Sequence, residues 1–265
     1  MVALDFRKLS GLKPKKFEFN DLIKAFDDSI EKATKNVKKA AVLFSGGVDS
    51  SLIAKTASER INDCRLFSVG LSNSHDLVQA RNASKLLGLE LIEKEIQKPG
   101  LKGISSNVSK IIDSKDFLQL SIAVPEFVAL SEIKKHRFMT VFSGQGADEL
   151  FLGYAVFPRL LKEAGAGSVR KEQRHLFGVF QQRNVKREKL LAKHFSLDVR
   201  MPFLDEKFAA IALSIPVKQN LENNLRKNVF RKLALHYKIP EQIALMPKKA
   251  IQYGSGVSKE LKKIA

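Results

Sequence analysis

The chain has 265 residues, 44% of them hydrophobic, and a formal net charge of +18. That length and apolar content exclude a disordered chain and allow one large domain, or a domain with a smaller appended part. No apolar run approaches a membrane span, Met1 to Phe6 lack the layout of a secretory signal, and a single cysteine, Cys64, excludes an intramolecular disulfide. A cytoplasmic address is expected by default. The charge is uneven, about +4 over residues 1–150 and about +14 over residues 151–265. Such a basic half offers a phosphate track for RNA, a face for another acidic partner, or simply a solvated surface. No aromatic-interleaved pattern supports RNA binding.

Residues 1–19 read as a basic arm packed on the body through Phe17 and Phe19. From Asn20-Asp21, Leu22, Ile23, Phe26, Ile30 and Ala33 recur at helical spacing, and Ala40 to Phe44 then form an apolar strand. Strand-like runs follow at Arg65–Val69, Glu90–Lys94 and Phe138–Phe142. Helical patterns lie between them, one over residues 77–87 closed by Gly88 and two near 104–113 and 117–133. Alternation of this kind predicts an α/β fold with a doubly wound parallel sheet, whose ligand lies beyond the carboxyl ends of the strands. After Leu150 the strand signal fades. Helical segments near 150–163, 168–195, 205–213 and 224–237 alternate with breaks at Gly165, Gly167, Pro202, Pro216 and Pro240. The expected organisation is therefore an arm (1–19), a ligand-binding α/β part (20–150) and a mostly helical C-terminal lobe (151–265) of the same domain.

Ser45-Gly46-Gly47-Val48-Asp49-Ser50-Ser51 leaves the first strand and enters a helix. Its glycines let backbone amides approach a ligand, and the helix start turns its unpaired N–H groups and positive dipole end to the same point. That point suits an anion. Ser45, Ser50 and Ser51 add hydroxyl donors, whereas Asp49 suits a Mg2+ ion bridging phosphate oxygens. The loop lacks the Gly-Lys-Ser/Thr ending of a Walker loop and is too short for the dinucleotide fingerprint. A second glycine loop, Ser143-Gly144-Gln145-Gly146-Ala147-Asp148-Glu149, leaves the fourth predicted strand and brings two carboxylates to the same edge.

The first loop resembles the SGGxDS pyrophosphate (PP) loop. Together with Phe67–Leu71, Val141–Tyr154 (VFSGQGADELFLGY) and Asp198–Asp205 (DVRMPFLD), it resembles the synthetase domain of asparagine synthetases over residues 20–257. The resemblance implies the PP-loop, adenine nucleotide alpha hydrolase-like fold. It also implies a ligase that splits ATP to AMP and pyrophosphate, adenylylating a carboxylate for attack by ammonia, with the aspartate side chain as the expected acceptor. Asp49 and Asp148 match its Mg2+ ligands, and Ser45, Gly46, Gly47 and Ser50 match its phosphate cradle. Backbone around Leu43, Val69, Ser143 and Gly144 matches its adenosine slot. Arg200 and Asp205 match charged positions of its ExRxPFLD stretch, read either as substrate contacts or as an ion pair bracing the loop. Lys248 or Lys249 matches its late lysine, which stabilises charge on the phosphoryl groups, with a solvated lysine pair as the alternative.

Two departures bear on mechanism. Val2 stands where the glutamine-dependent members carry a nucleophilic cysteine, so the expected nitrogen source is free ammonia or a separate glutaminase chain. Gln145 stands where asparagine-forming members commonly carry a glutamate, and an amide is not a base near neutral pH. Two rival readings follow from the residues. One is a PP-loop enzyme modifying RNA with the basic lobe; the other is a non-catalytic ATP-binding partner protein. The five histidines show no metal-ligand spacing.

Overall fold

The computed structural model describes residues 16–222, 225–246 and 254–264. Helix α1 (Phe19–Thr34) leads into β1 (Lys39–Leu43), α2 (Val48–Ser58), β2 (Asp63–Gly70), α3 (His75–Leu87) and β3 (Leu91–Glu95). Helices α4 (Leu101–Ile112) and α5 (Phe117–Lys135) precede β4 (Thr140–Phe142) and the one-turn α6 (Ala147–Leu150). The second half contains α7 (Val156–Phe180), a π-helical turn (Gln181–Val185), α8 (Lys186–His194), β5 (Asp198–Arg200) and α9 (Glu206–Ser214). It closes with α10 (Val217–Asn220), α11 (Asn228–His236), α12 (Glu241–Ala244) and α13 (Val257–Ile264).

The five strands pair in the order β3-β2-β1-β4-β5, every pair parallel. The chain winds outward from β1 to β3 and then returns to β4 on the other side of β1. The crevice at the carboxyl ends of β1 and β4 is therefore the topological switch point, where such sheets bind ligands. Ala40, Val42 and Phe142 enter one core with α1, α2 and α9, while Ala41, Phe67 and Val141 enter the other with α4, α5 and α8. A parallel sheet covered on both faces needs apolar residues at successive positions, which is why β1 reads as a continuous run. Each fully buried Leu or Phe in these layers contributes about 1.5–3 kcal/mol.

Two differences from the sequence expectation concern the second half. The strand signal does not end at Leu150, because Asp198-Val199-Arg200 pairs with Thr140-Val141-Phe142 as β5. Gly167 does not end a helix, whereas Gly165 does interrupt one: its φ 77° and ψ 176° are non-helical, so α7 is two helical stretches meeting at that residue. Pro202, Pro216 and Pro240 do mark starts, the first inside a 3₁₀ turn and the other two as N-caps of α10 and α12.

Behind the switch point lies an aromatic cluster. Phe203 stacks on Phe26 at 5.8 Å and meets Phe230 edge-on at 5.2 Å, and Phe151 lies 4.9 Å from Phe230. Such pairs add about 0.5–1.5 kcal/mol each beyond area burial. They fix α11, whose first turn holds Phe230, against α1 and the turn after β5.

Candidate functional site

β1 ends at Leu43, and the chain turns through Ser45-Gly46-Gly47 into α2. Gly46 has φ +74°, and a Cβ there would lie 2.6 Å from the Gln79 carbonyl oxygen and 2.8 Å from the Ala80 nitrogen of α3. Only glycine fits that turn. The Ser50 hydroxyl donates to the Gly47 carbonyl at 3.2 Å and lies 3.4 Å from the Ser45 hydroxyl, so both hydroxyls sit at the mouth of α2. Gly47 is the N-cap and no side chain caps this helix start, which leaves its amides directed at the switch point.

The second loop packs directly on the first. A Cβ on Gly144 would lie 3.2 Å from the Asp49 carbonyl carbon and the Ser50 nitrogen, so the two loops touch backbone to backbone. Ser143 N–H donates to the Arg200 carbonyl at 3.0 Å, which ties the loop to β5. Gly146 then opens α6, placing Asp148 and Glu149 in its first turn. From α7, the Gln173 amide donates to the Glu149 and Leu150 carbonyls at 2.8 and 3.0 Å and holds α6 in place.

Lys227 joins the two loops. Its Nζ lies 2.7 Å from both carboxylate oxygens of Asp49 and 2.8 Å from Oδ1 of Asp148, with only 3% of the side chain exposed. Its backbone is left-handed (φ 59°) and precedes α11. Gly153 makes room, since a Cβ there would strike Asp148 Oδ1 and Lys227 Cε. Burial pushes the Lys227 ammonium's pKa down, while the charges of Asp49 and Glu149 push it up. Glu149 is itself buried and accepts from the Tyr154 hydroxyl; burial raises the pKa of both groups.

Asp49 and Asp148 thus already share one cation, and their oxygens are the donor type that Mg2+ takes. Among the described residues, no group of three or more His, Cys, Asp or Glu side chains could hold a metal. Two carboxylates completed by phosphate oxygens and water are the usual Mg2+ arrangement, so the residues present fit the ion.

Several other residues singled out in the sequence can be placed. Leu43 and Val69 are half-buried near the ends of neighbouring parallel strands, with Leu43 in register with Phe67. Arg200 does not turn its guanidinium to either glycine loop. Nε donates to Asp198 at 2.8 Å and Nη1 to the Ala33 carbonyl at 2.6 Å, so the side chain braces the end of α1, and only its backbone carbonyl reaches the second loop. Its expected pair with Asp205 is replaced: Asp205 caps α9 through the Lys207 and Phe208 amides and pairs with Lys32 at 3.0 Å. Lys248 and Lys249 lie outside the described residues. The flanks of their segment are anchored, with Arg231 donating to the Met246 carbonyl and Leu71 N–H to the Ser255 carbonyl.

Cys64 is buried and its thiol is pushed up to about 12, as a core residue requires. Of the histidines, His136, His194 and His236 pack against aromatic rings, His175 is exposed, and His75 lies 3.6 Å from Asp76.

Lys227 is the site residue that sequence reasoning missed. A second is Glu188 on α8, fully buried with neither carboxylate oxygen in a hydrogen bond of normal geometry. Burial first, and then the nearby charge of Glu126, push it up to about 8, against the opposing influence of the Ser143 hydroxyl, Arg187 and the Gln145 amide. Glu126 on α5 is buried too and pairs with Arg187 Nε at 3.1 Å, while Arg187 Nη1 donates to Gln119 at 2.9 Å.

Comparison with known proteins gives concordant matches. The family model described as asparagine synthase matches residues 21–178 and 161–265. The glutamine-hydrolysing asparagine synthetase 1 assigned to Methanocaldococcus jannaschii is 34% identical over 92% of this chain and 51% of its own length. The glutamine-hydrolysing asparagine synthetase of Homo sapiens is 27% identical over 89% of this chain and 43% of its own. The chain therefore spans about half the length of the curated relatives it matches. Among solved structures, the NMN synthetase from Francisella tularensis aligns with TM-score 0.49 at 12% identity, covering 94% of this chain and 87% of that one.

Proposed function

Because the chain belongs to the asparagine synthase family, we propose that it is an ATP-dependent, AMP-forming amide ligase acting on a small carboxylate, with the aspartate side chain as acceptor and ammonia as nucleophile. The observation that carries this reading is the convergence of Asp49, Asp148 and Lys227 where two glycine loops meet at the switch point.

In the first step an acceptor carboxylate oxygen attacks the α-phosphorus of ATP. The bond from that phosphorus to the bridging oxygen breaks, and pyrophosphate leaves. The amides at the start of α2 and the hydroxyls of Ser45 and Ser50 are placed to take the departing phosphates, and the Lys227 ammonium adds a fixed cation. Mg2+ held by Asp49 and Asp148 would neutralise charge that accumulates on the leaving oxygens. In the second step the ammonia nitrogen attacks the acyl carbon, AMP leaves with the electron pair of its bond, and the nitrogen sheds a proton. The leading candidates for a further closing cation are Lys248 and Lys249. Adenine and ribose are assigned to the strand ends at Leu43 and Val69 and to the backbone of Ser143 and Gly144. A separate glutaminase chain is the alternative source of ammonia.

The test is release of AMP and pyrophosphate from MgATP, with aspartate plus ammonium chloride compared against other amino acids and bulk RNA. Aspartate-dependent release with asparagine formed supports the full reading. Release with another acceptor moves the substrate, RNA-dependent release selects the RNA-modifying alternative, and no release with any acceptor overturns the assignment.

A further inference from the structure

Many surface cations of this molecule stand beside a carboxylate. Lys32 pairs with Asp205 at 3.0 Å, Arg65 with Glu90 at 3.1 Å, Lys135 with Glu132 at 3.2 Å and Lys207 with Asp28 at 2.6 Å. The outer side of α7 and α8 departs from that pattern. After Gly165 the helix continues through the π turn to His194, and its inner side buries Phe177 and Phe180, then Leu191 and Ala192. Its outer side exposes Lys171, Arg174, Arg183, Lys186, Lys189 and Lys193. Among the described residues, none of these side chains has an ion-pair or hydrogen-bond partner.

Their spacing makes a file. Arg174, Lys186, Lys189 and Lys193 stand 3, 15, 18 and 22 positions beyond Lys171. At 3.6 residues per turn those separations keep all of them on one side of the helix, in a row about 33 Å long with Arg183 on its flank. No exposed acid interrupts the row: Glu172 is half-buried, Glu188 is buried, and Asp198 beyond its end pairs with Arg200. Like charges three and four positions apart on a helix repel one another. The row therefore favours a ligand that neutralises it along its whole length.

The side chains around the file select that ligand. A protein interface has an apolar centre, and none of the exposed large hydrophobic side chains lies between positions 167 and 197. A helix lying on a membrane surface needs an apolar edge of the same kind. No Phe or Tyr of this stretch is exposed, so unpaired bases have no ring on which to stack. What fits is a continuous phosphate backbone. In B-form DNA a helix enters the wide major groove and reads base edges, whereas in A-form RNA the major groove is deep and narrow, and its phosphates, not its bases, are within reach. We propose that the outer side of α7 and α8 is a docking face for duplex RNA, held through phosphates without base readout. The face is turned away from both hydrophobic cores, so the inference stands independently of the amide-ligase reading.

Fluorescence anisotropy of the full chain with a labelled, blunt RNA duplex of about 20 base pairs tests this. Wild type should bind, and its affinity should fall about 10³-fold between 50 and 200 mM salt, as about six phosphate contacts require. The triple variant Lys186→Glu, Lys189→Glu, Lys193→Glu should weaken binding by about 10²-fold or more at 50 mM salt and reduce the log–log salt slope by about three. These side chains are exposed and repel one another, so the fold should be kept, which circular dichroism checks. A control of equal net charge, Lys35→Glu, Lys85→Glu, Lys94→Glu, alters exposed lysines elsewhere and should stay within about fivefold of wild type. Equal weakening in both triple variants would reduce the effect to net charge and overturn the proposal, as would absence of binding at 50 mM salt. A DNA duplex of the same sequence binding as tightly would overturn the choice of RNA. Poly-glutamate displacing the labelled duplex as well as unlabelled RNA does would overturn it in favour of an acidic protein.

Discussion

Two stretches of this chain carry charged residues in motifs of similar specificity, and the fold uses them in different ways. In the glycine-loop region, Asp49 and Asp148 converge on Lys227 within 2.8 Å at the switch point. In Asp198–Asp205, Arg200 and Asp205 both turn toward α1 and α9 and hold elements together. The difference lies in what surrounds each group. The first three charges are crowded at a helix start and a strand edge, where burial would be costly without an anion or cation to serve. The second pair finds carbonyls, helix amides and a lysine of opposite charge close by, and is already satisfied.

Lys227 separates the two regions most sharply. Lys227→Ala should lower acceptor-dependent pyrophosphate release by about 10²-fold or more, while Arg200→Ala should change it little, as steady-state assays would read. The next largest effect is on folding: Phe203→Ala empties the aromatic cluster and should cost about 3–5 kcal/mol in denaturant unfolding. It spares the charged site itself.

A pH series on Glu188 follows in size. Folding lifts this carboxyl from about 4.5 to about 8, so between those values the folded state holds a proton that the unfolded state has released. Its contribution is present in full below about pH 4.5 and is lost as pH rises through about 8. Wild-type stability should fall across that window by on the order of 5 kcal/mol, comparable with the loss of the aromatic cluster, and Glu188→Gln should flatten the fall. The smallest effects belong to the braces. Asp205→Ala should cost about 1 kcal/mol through loss of the α9 cap, and Arg200→Ala less than about 1 kcal/mol, both measurable as shifts in the urea midpoint.

Much of the sheet could be read in the sequence because β1, covered on both faces, is an apolar run from Ala40 to Leu43, and Leu66-Phe67 and Val141-Phe142 mark its two neighbours. β5 could not. It has three residues with charged ends, and only its pairing with β4 makes it a strand. The two glycine loops were legible for a local reason, since a positive φ at Gly46 and a helix start leave a mark in adjacent residues. Lys227 left none: it lies 178 residues from Asp49 in a lysine-rich half, and its role comes from a left-handed N-cap that aims it at the loops. Glu188 was equally hidden, because its neighbours on α8 give no sign that this one carboxyl, unlike the exposed lysines around it, faces inward. Arg200 shows the converse. Its motif was plain, and its partner was a helix end more than 160 positions away.

The most direct measurement is a crystal structure with Mg2+ and an ATP analogue that cannot be cleaved between its α and β phosphates. The β-phosphate should lie on the Gly46–Gly47 amides, a metal ion between Asp49 and Asp148, and the Lys227 ammonium on the phosphate oxygens. Nucleotide bound elsewhere, or phosphates at this edge with Lys227 still paired to both aspartates and no metal between them, would contradict this placement.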